Sequence, residues 1–266
     1  MIVVANDGTQ EEAVIMFGGA LGDHVCVSGA LNQYYKEKKK RLYMISNRPT
    51  LFLGQDYCKA SIDINYIGAN SSADHSNLFR QFKKIYSLFW QNENHLKGNT
   101  TLVENYCEQL GIKKVKYPFL KLKKEELNNF NITNKPYILV SFKGKEPEEI
   151  IFGRNKYLTY NQNLEIILKL KKDLPDYEII DIADIQTNNF KDLILVVAKC
   201  KTFLSVDTAL QHLAANDFQR KRGVVLWNNE ANVDIYGYDY NINLVNNFVH
   251  PFDNYDIILK QLLNIL

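Results

Sequence analysis

The sequence predicts an α/β protein built from two doubly wound lobes, each with its own parallel sheet. Short apolar runs rich in β-forming residues alternate with longer helical segments along the 266 residues. This alternation starts again near the middle of the chain, so each half holds one βαβ series. We therefore assign residues 1–125 to an N-terminal lobe and residues 126–266 to a C-terminal lobe, both of ordinary domain size.

The first half opens with the apolar run 13–17, which is typical of a strand buried on both faces. A glycine cluster at 18–22 follows this strand and precedes a helix from about His24 to Lys38. The spacing of apolar residues predicts the remaining elements, which are strands at 41–46 and 63–67 and helices at 77–90 and 101–110, the last capped by Gly111.

The second half repeats this order after a lysine- and asparagine-rich connection at 113–135. Continuous apolar runs predict its strands, and apolar residues at helical spacing predict its helices. The strands are expected at 137–142, 177–182, 202–206 and 224–227. The helices are expected at 158–174, at 189–199, from about residue 208 and at 255–265.

Composition and charge exclude several classes of protein. Apolar residues make up 46% and charged residues 23% of the chain, which is typical of a folded globular protein. The net charge is only +2, and the basic runs at 36–41 and 121–124 flank predicted elements, so we expect no nucleic-acid partner. No apolar stretch reaches the roughly 18 residues of a membrane span. We expect no transmembrane segment and no signal peptide, and a peripheral membrane contact stays open.

The four cysteines are Cys26, Cys58, Cys107 and Cys200, and no two of them show C-x-x-C spacing. Their apolar or helical surroundings favour buried, reduced thiols, which fit a cytoplasmic location. No group of His, Cys, Asp and Glu residues has the spacing of a metal site, so no metal is expected.

Ligands of open parallel sheets bind outside the carboxyl ends of the strands, which directs attention to the loops at 18–23, 141–156, 205–212 and 227–238. In the first loop, Gly18, Gly19 and Gly22 allow a tight turn and a close approach of the backbone to a ligand. Asp23 follows them at the start of a helix. Because a carboxylate there would repel a phosphate, Asp23 is either a helix cap or a catalytic base.

The stretch 207–215, Asp-Thr-Ala-Leu-Gln-His-Leu-Ala-Ala, comes directly after a predicted strand. Asp207 or Thr208 can cap the helix that follows, whose first turn offers free N–H groups to a diphosphate. His212 lies within that helix. Its imidazole either binds a phosphate or sugar hydroxyl or is satisfied by a backbone carbonyl of the protein.

Together these motifs resemble those of glycosyltransferase family 9, the ADP-heptose:lipopolysaccharide heptosyltransferase family. Ala20-Leu21-Gly22-Asp23 matches the family's x-L-G-D before the first helix, and residues 207–215 match its D-[ST]-G-x-x-H-L-A-A. Two further similarities support this resemblance. Lys156 resembles the lysine of the family's K-x-W-P turn. A family stretch with a strand end, a G-Y pair and an asparagine-containing tail resembles Leu226-Trp227, Tyr236-Gly237-Tyr238 and Asn241-Ile242. The resemblance extends from about residue 13 to residue 260.

The resemblance implies a GT-B fold, in which two Rossmann-like lobes face each other across a cleft. It implies an inverting, metal-independent transfer of a sugar, expected to be heptose from ADP-heptose, to a glycan or other hydroxyl acceptor. Asp23 would be the general base, and Lys156 would neutralise charge on the leaving diphosphate. Asp207 would bind sugar hydroxyls or fix the loop, and Thr208 with the backbone near Ala209 would hold phosphate. The nucleotide sugar is a co-substrate, and no cofactor is expected.

The sequence departs from the family pattern at two points. Ala209 replaces a glycine, which is harmful only if that position requires a positive φ. The K-x-W-P turn is reduced to Lys156-Tyr157-Leu158-Thr159, so Lys143, Lys145 and Arg154 compete with Lys156 for the diphosphate.

Two aromatic positions complete the candidate donor site. Trp227 at a strand end either stacks on a nucleobase or packs in the core. Tyr238 is expected, together with Tyr236, at the rim of the nucleotide pocket.

Two other functions remain open at this point. One is a transferase that uses a different nucleotide sugar, and the other is a catalytically silent nucleotide- or carbohydrate-binding protein with the same fold. The position of Asp23 separates them. A base must face the cleft near the start of the 208–215 helix, whereas a silent protein would bury the carboxylate as a cap beside a filled cleft.

Overall fold

The computed structural model of the chain describes residues 11–16, 18–65, 80–89, 92–142, 160–187, 189–227, 230–245 and 254–266. Its elements form two parallel β-sheets, one from each half of the chain, together with helices that pack on them. This arrangement confirms the predicted α/β class with two Rossmann-like sheets.

The N-terminal sheet has the strand order β3-β2-β1-β4, and every neighbouring pair is parallel. Its strands are β1 (Glu12–Ile15), β2 (Leu42–Ser46), β3 (Cys58–Asp63) and β4 (Lys84–Ser87). The accompanying helices are α1 (Leu21–Lys38), α2 (Glu93–Leu96) and α3 (Leu102–Leu110), with a 3₁₀ turn at Pro49–Phe52. After β1 the chain builds outward to β3 on one side and later places β4 on the other. The crevice for a ligand is therefore expected at the carboxyl ends of β1 and β4.

Two elements of this half were predicted wrongly. The third strand lies at Cys58–Asp63 rather than 63–67, and the described part of the predicted helix 77–90 contains the strand β4 instead. In β4, Ile85 and Tyr86 suit a pleated strand, and the backbone pairs with the buried strand β1. This pairing outweighs the helix-like spacing of the aromatic residues. Residues 77–79 and Trp90 lie outside the described residues.

The C-terminal sheet has the order β6-β5-β7-β8-β9 and is also parallel throughout. Its strands are β5 (Tyr137–Ser141), β6 (Glu178–Asp181), β7 (Thr202–Val206), β8 (Val224–Trp227) and β9 (Ile242–Val245). The helices of this half are α4 (Lys124–Asn129), α5 (Tyr160–Asp173), α6 (Phe190–Lys199), α7 (Ala209–Ala214), α8 (Glu230–Tyr236) and α9 (Tyr255–Leu263), with a 3₁₀ turn at Ile182–Asp184. The strand order of this sheet reverses between β5 and β7, because the chain adds β6 on one side of β5 and then β7, β8 and β9 on the other.

The sequence did not predict β9, α4 or α8. Each is short, and α8 lies in the segment 227–238 that was interpreted as a loop. The predicted connection 113–135 contains α4 and is fixed to both halves. Phe119 N–H donates to Ser28 Oγ in α1 at 3.0 Å, and Leu120 exchanges two hydrogen bonds with the Asn216 side chain, at 2.9 and 2.7 Å. The proposed boundary between residues 125 and 126 stays a prediction.

Helix α1 is the element that joins the two halves. From His24 to Asn32 it is buried on every side, because it packs on the N-terminal sheet, on α3 and on α7 of the other half. A helix enclosed in this way needs small residues where neighbours approach. A Cβ built on Gly29 would lie 2.3 Å from the backbone oxygen of Tyr117, so no side chain fits there.

One hydrophobic cluster runs through both halves, from Val14 in β1 to Phe203 in β7 and Trp227 in β8. The two sheets are therefore not independent bodies joined by a loose linker. Within the described residues, no helix combines the length and the apolar character needed to cross a bilayer.

Candidate active site

The two sequence motifs lie against each other in the fold. Gly22 in the first turn of α1 is buried, and a Cβ built on it would lie 2.7 Å from Cδ2 of His212 and 3.7 Å from Cα of Ala209 in α7. We refer to this packing of Gly22 and Cys26 on Ala209 and His212 as the α1–α7 contact. It brings the glycine turn of the first half next to the loop after β7 of the second half.

The glycine turn before α1 has a backbone that other residues rarely adopt. Gly18 has a φ of 80° and Gly19 a φ of 94°, both in the left-handed region. A Cβ built on Gly19 would lie 3.3 Å from Oδ2 of Asp23. The turn therefore wraps closely around the Asp23 carboxylate.

Asp23 is the third residue of α1, and its side chain caps the first turn of this helix. Its Oδ2 accepts a hydrogen bond of 2.6 Å from the backbone N–H of Ala20, and the residue remains partly exposed. The cap interpretation of the sequence is therefore observed. A partly exposed carboxylate next to the α1–α7 contact also keeps the access that a base needs, so the catalytic role stays a prediction.

His24 does not share the accessibility of Asp23. It is 0% exposed, and its Nδ1 donates to the Ala20 carbonyl at 3.0 Å. Burial lowers the pKa of His24 below its usual value. The ring is therefore a neutral part of the helix packing, without access to a substrate.

His212 lies at the centre of a buried polar cluster. Its Nδ1 is 2.9 Å from the Tyr238 hydroxyl and 3.3 Å from the Cys26 thiol, and the hydroxyl and the thiol are 3.7 Å apart. Tyr238 is only 5% exposed and lies against His212, and its role at the rim of a nucleotide pocket stays a prediction. The nearby Tyr236 is also buried and packs edge-on against His95 of the first half.

The loop between β7 and α7 is fixed by side chains on both sides. Thr208 Oγ1 donates to Ser141 Oγ at 3.1 Å, which joins the carboxyl ends of β7 and β5. The chain reverses direction between these two strands, and such a reversal is where open parallel sheets bind ligands. Gln211 Nε2 donates to Asp207 Oδ1 at 2.6 Å, so one oxygen of Asp207 holds the loop.

Ala209 begins α7 in helical geometry, and Lys39 is the one non-glycine residue of the described part with a positive φ. The alanine that replaces the family's glycine is therefore tolerated without strain. Helix α7 is only six residues long.

Trp227 is 1% exposed and donates from Nε1 to Asn243 Oδ1 at 2.8 Å. Its ring is covered by protein, in agreement with the core alternative, and in this conformation it offers no face to a nucleobase. Lys156 lies outside the described residues, as do its rivals Lys143, Lys145 and Arg154. Their contacts with a diphosphate stay predictions.

Three residues of this region were not predicted as part of the site: Cys26, Ser141 and Gln211. A spacing signal existed for Cys26, because it stands four residues after Gly22 and so lies on the same face of α1. Ser141 lies near the end of the predicted strand 137–142 and at the start of the loop 141–156, which marks the ligand edge of the sheet. Gln211 had no comparable signal.

Two surface pockets differ in their position relative to this region. A pocket of about 240 Å³ is lined from both halves, by Thr101 and Tyr117 on one side and by Tyr238 and Asp239 on the other. A pocket of about 570 Å³ lies instead at the amino ends of the strands, beside Lys135 and Glu178. The smaller pocket adjoins Tyr238, whereas the larger one is at the edge of the sheet that parallel folds do not use for ligands. In the described part of the chain, no group of His, Cys, Asp and Glu residues could hold a metal ion.

Several solved structures share this architecture. The E. coli ADP-heptose LPS heptosyltransferase II has a TM-score of 0.66 and 14% identity, and the match covers 96% of this chain and 98% of that one. E. coli heptosyltransferase WaaC with ADP has a TM-score of 0.62 and 12% identity, with 96% and 100% covered. A glycosyltransferase of family 9 from Veillonella parvula has a TM-score of 0.60 and 11% identity, with 96% and 97% covered.

These similarities confirm, at the level of the fold, the GT-B architecture that the motifs implied. They extend over both halves of the chain and nearly the full length of each neighbour. No protein-family model matches the sequence, and no curated protein matches it either.

The α1–α7 contact leads to a prediction about Gly22. In Gly22→Ala the new methyl group overlaps the His212 ring, and such overpacking costs about 1–3 kcal/mol. The better helix propensity of alanine offsets up to about 1 kcal/mol of this. We therefore expect a net loss of unfolding free energy, measured by urea denaturation.

The control is a double-mutant cycle with His212→Ala, which removes the ring that the methyl group meets. In the His212→Ala background, Gly22→Ala should no longer destabilise the protein. A single Gly22→Ala variant that is as stable as the wild type would show that the two helices are not in close contact.

Proposed function

We propose that this chain is a glycosyltransferase that moves a sugar from a nucleoside-diphosphate donor to a hydroxyl acceptor. The observation that carries the proposal is the α1–α7 contact, in which Gly22, the residue before the partly exposed Asp23, packs on Ala209 and His212 of the other half. The fold that holds this contact is the one found in the heptosyltransferases.

The donor is assigned to the second half. The Ser141–Thr208 hydrogen bond marks the point where the sheet reverses direction, and the adjacent hydroxyl and backbone groups suit phosphate oxygens. His212 follows one turn later and adds an imidazole. ADP-heptose is the proposed donor, because the similar structures include an ADP-heptose LPS heptosyltransferase and the heptosyltransferase WaaC with ADP.

Asp23 is the proposed general base. Its carboxylate takes the proton of the acceptor hydroxyl while that oxygen attacks the anomeric carbon, and the bond to the diphosphate breaks on the opposite face. The sugar is thereby transferred with inversion of configuration. The acceptor is a glycan or another hydroxyl compound, which binds on the side of the first half.

The leaving diphosphate gains one negative charge, on the oxygen that is released from the sugar, and this charge must be neutralised. We assign this role to a lysine or arginine of the segment after β5, Lys156 first, with Lys143, Lys145 and Arg154 as its rivals. Since a cation of the protein would then do the work of a metal ion, the transfer is proposed to be metal-independent. A cytoplasmic place in lipopolysaccharide synthesis accords with this donor and belongs to the same proposal.

One observation favours a second candidate, a catalytically silent binding protein. The Asp23 carboxylate is already engaged as a helix cap, and the neighbouring interior is filled by His212, Tyr238 and Cys26. In such a protein, the nucleotide or carbohydrate would bind without reaction. The partial exposure of Asp23 favours the enzyme, and the variant described next separates the two.

Asp23→Asn should lower the rate of sugar transfer by about 10²–10⁴-fold, the usual contribution of a general base. The amide oxygen still accepts from Ala20 N–H, so the cap and the fold are kept. Because the base contacts the acceptor and not the donor, nucleotide affinity should stay nearly unchanged. Transfer is measured as release of the nucleoside diphosphate.

Glu104→Gln is the matched control, since Glu104 caps α3 in the same way by accepting from Thr101 N–H at 2.9 Å. It should retain wild-type activity. Equal activities of wild type and Asp23→Asn would remove Asp23 from the chemistry, and a large loss of nucleotide binding in Asp23→Asn would contradict its position on the acceptor side.

The donor class is tested by thermal shift with ADP, UDP and GDP and their sugar conjugates. A ligand that binds the folded state at about 100 times its Kd stabilises the protein by about 2.7 kcal/mol. We expect the adenine compounds to raise the melting temperature, with and without a chelator. A shift only with uracil or guanine compounds would identify a different donor, and no shift with any of them would contradict the function.

A further inference from the structure

We infer that Tyr238 and Cys26 are positioning residues for His212, which hold its imidazole in the tautomer that carries the hydrogen on Nε2 and direct Nε2 toward Gly22. The inference deepens the proposed function, and it rests on that function for the group that Nε2–H contacts, a diphosphate oxygen of the donor.

The cluster is closed and buried. His212, Tyr238 and Cys26 are 6%, 5% and 0% exposed, and the Nδ1, hydroxyl and thiol groups form a triangle with sides of 2.9, 3.3 and 3.7 Å. The imidazole and phenol rings meet edge-on, with centroids 5.7 Å apart. Groups so enclosed must satisfy one another, because a buried hydroxyl without a partner costs about 1–3 kcal/mol.

The number of hydrogens decides the tautomer. Among the described residues, the Tyr238 hydroxyl has two hydrogen-bond partners, Nδ1 of His212 and the Cys26 sulfur. If Nδ1 carried a hydrogen, the hydroxyl could donate only to the sulfur, which is a weak acceptor at a long distance. If Nδ1 is bare, it accepts from the hydroxyl at 2.9 Å, and the neutral ring has its hydrogen on Nε2.

Both partners keep the hydrogen that this arrangement requires. Burial raises the pKa of Tyr238 well above its usual value, and burial likewise raises the pKa of the Cys26 thiol. At neutral pH, the hydroxyl and the thiol are therefore both protonated. They face Nδ1 as two donors, and the bare nitrogen is the acceptor that they share.

Tyr238 is itself held in place. Its ring stacks on Tyr117 with centroids 5.9 Å apart, and Asn243 Nδ2 donates to its backbone carbonyl at 3.0 Å. The Tyr117 hydroxyl donates in turn to Asp239 at 2.7 Å. The Tyr238 hydroxyl thus meets Nδ1 from a fixed direction, which also fixes the rotation of the imidazole.

The opposite edge of the ring points to the α1–α7 contact. A Cβ built on Gly22 would lie 2.7 Å from Cδ2 and 3.3 Å from Nε2 of His212. The Nε2–H group is therefore directed to the place where the glycine turn meets the loop after β7. A fixed N–H donor there suits an anionic oxygen, whereas the other tautomer would present a lone pair to it.

The tautomer is measured directly by NMR of protein labelled with ¹⁵N-histidine, without any nucleotide. His212 is identified by the signal that disappears in His212→Gln. We expect a wild-type spectrum at neutral pH in which Nδ1 is unprotonated and Nε2 is protonated. A His212 with its hydrogen on Nδ1, or with both nitrogens protonated, would overturn the inference.

Tyr238→Phe removes the hydroxyl and keeps the stacked ring. We expect the His212 signals to shift toward a mixture of tautomers, and ADP affinity to fall about 3- to 10-fold, the value of one hydrogen bond. The loss should appear in the Kd for ADP and in the KM for the donor, with kcat little changed. Unchanged His212 signals in a folded Tyr238→Phe protein would overturn the positioning role.

Tyr240→Phe is the matched control. Tyr240 belongs to the same aromatic cluster, 6.1 Å from the Tyr238 ring, and its buried hydroxyl has no hydrogen-bond partner among the described residues. We expect wild-type NMR signals and ADP affinity from it. An equal loss of affinity in both variants would show that the aromatic packing matters and the hydrogen bond does not.

The two proposals fail in different ways. A wild-type His212 with the Nε2 hydrogen, in a protein that binds no nucleoside diphosphate, would support the positioning by Tyr238 and Cys26 and overturn the proposed function. A protein that binds ADP with His212 in the other tautomer would support the function and overturn the positioning.

Discussion

The absence of a side chain at Gly22 is the constraint on which the rest of the site depends. It lets the first turn of α1 approach α7 so closely that the His212 ring occupies the space where a Cβ would be. The buried triangle of His212, Tyr238 and Cys26 then fills the interior behind this contact. This contact is one of the places where the two halves of the chain are held together, and it adjoins both sequence motifs.

Backbone geometry around this contact follows from the topology of the two sheets. In each sheet the order in which strands are added reverses next to the first strand, which is β1 in one half and β5 in the other. The glycine turn leaves β1 at the first reversal, and the Ser141–Thr208 hydrogen bond spans the second. Packing of α1 against α7 brings these two strand-end regions close together, which is the arrangement that the proposed transfer between a donor and an acceptor requires.

Much of the fold could be predicted from the sequence, because long buried runs such as 137–142 and capped helices such as 101–110 specify their own structure. The strands that were predicted wrongly or not at all lie at the sheet edges. Lys84–Ser87 and Ile242–Val245 form strands because each hydrogen-bonds to the backbone of a neighbouring strand. A local sequence pattern does not contain this pairing.

For the site, the motifs directed attention to the two segments that the structure brings together at Gly22 and His212, but they could not assign an orientation to each side chain. The side chain of Tyr238 lies largely buried against His212, and Trp227 is enclosed by the core. Both outcomes depend on contacts between residues distant in sequence. The orientation of Cys26 was also difficult to predict, because only its position four residues after Gly22 indicated that it faces the other half.

The most direct test of the account is the position of the diphosphate in a crystal structure of the chain with ADP. We predict a phosphate oxygen at hydrogen-bond distance, about 2.7–3.2 Å, from Nε2 of His212, beside Thr208 and on the side that faces Asp23. A diphosphate bound elsewhere, for example in the pocket beside Lys135 and Glu178, would contradict it.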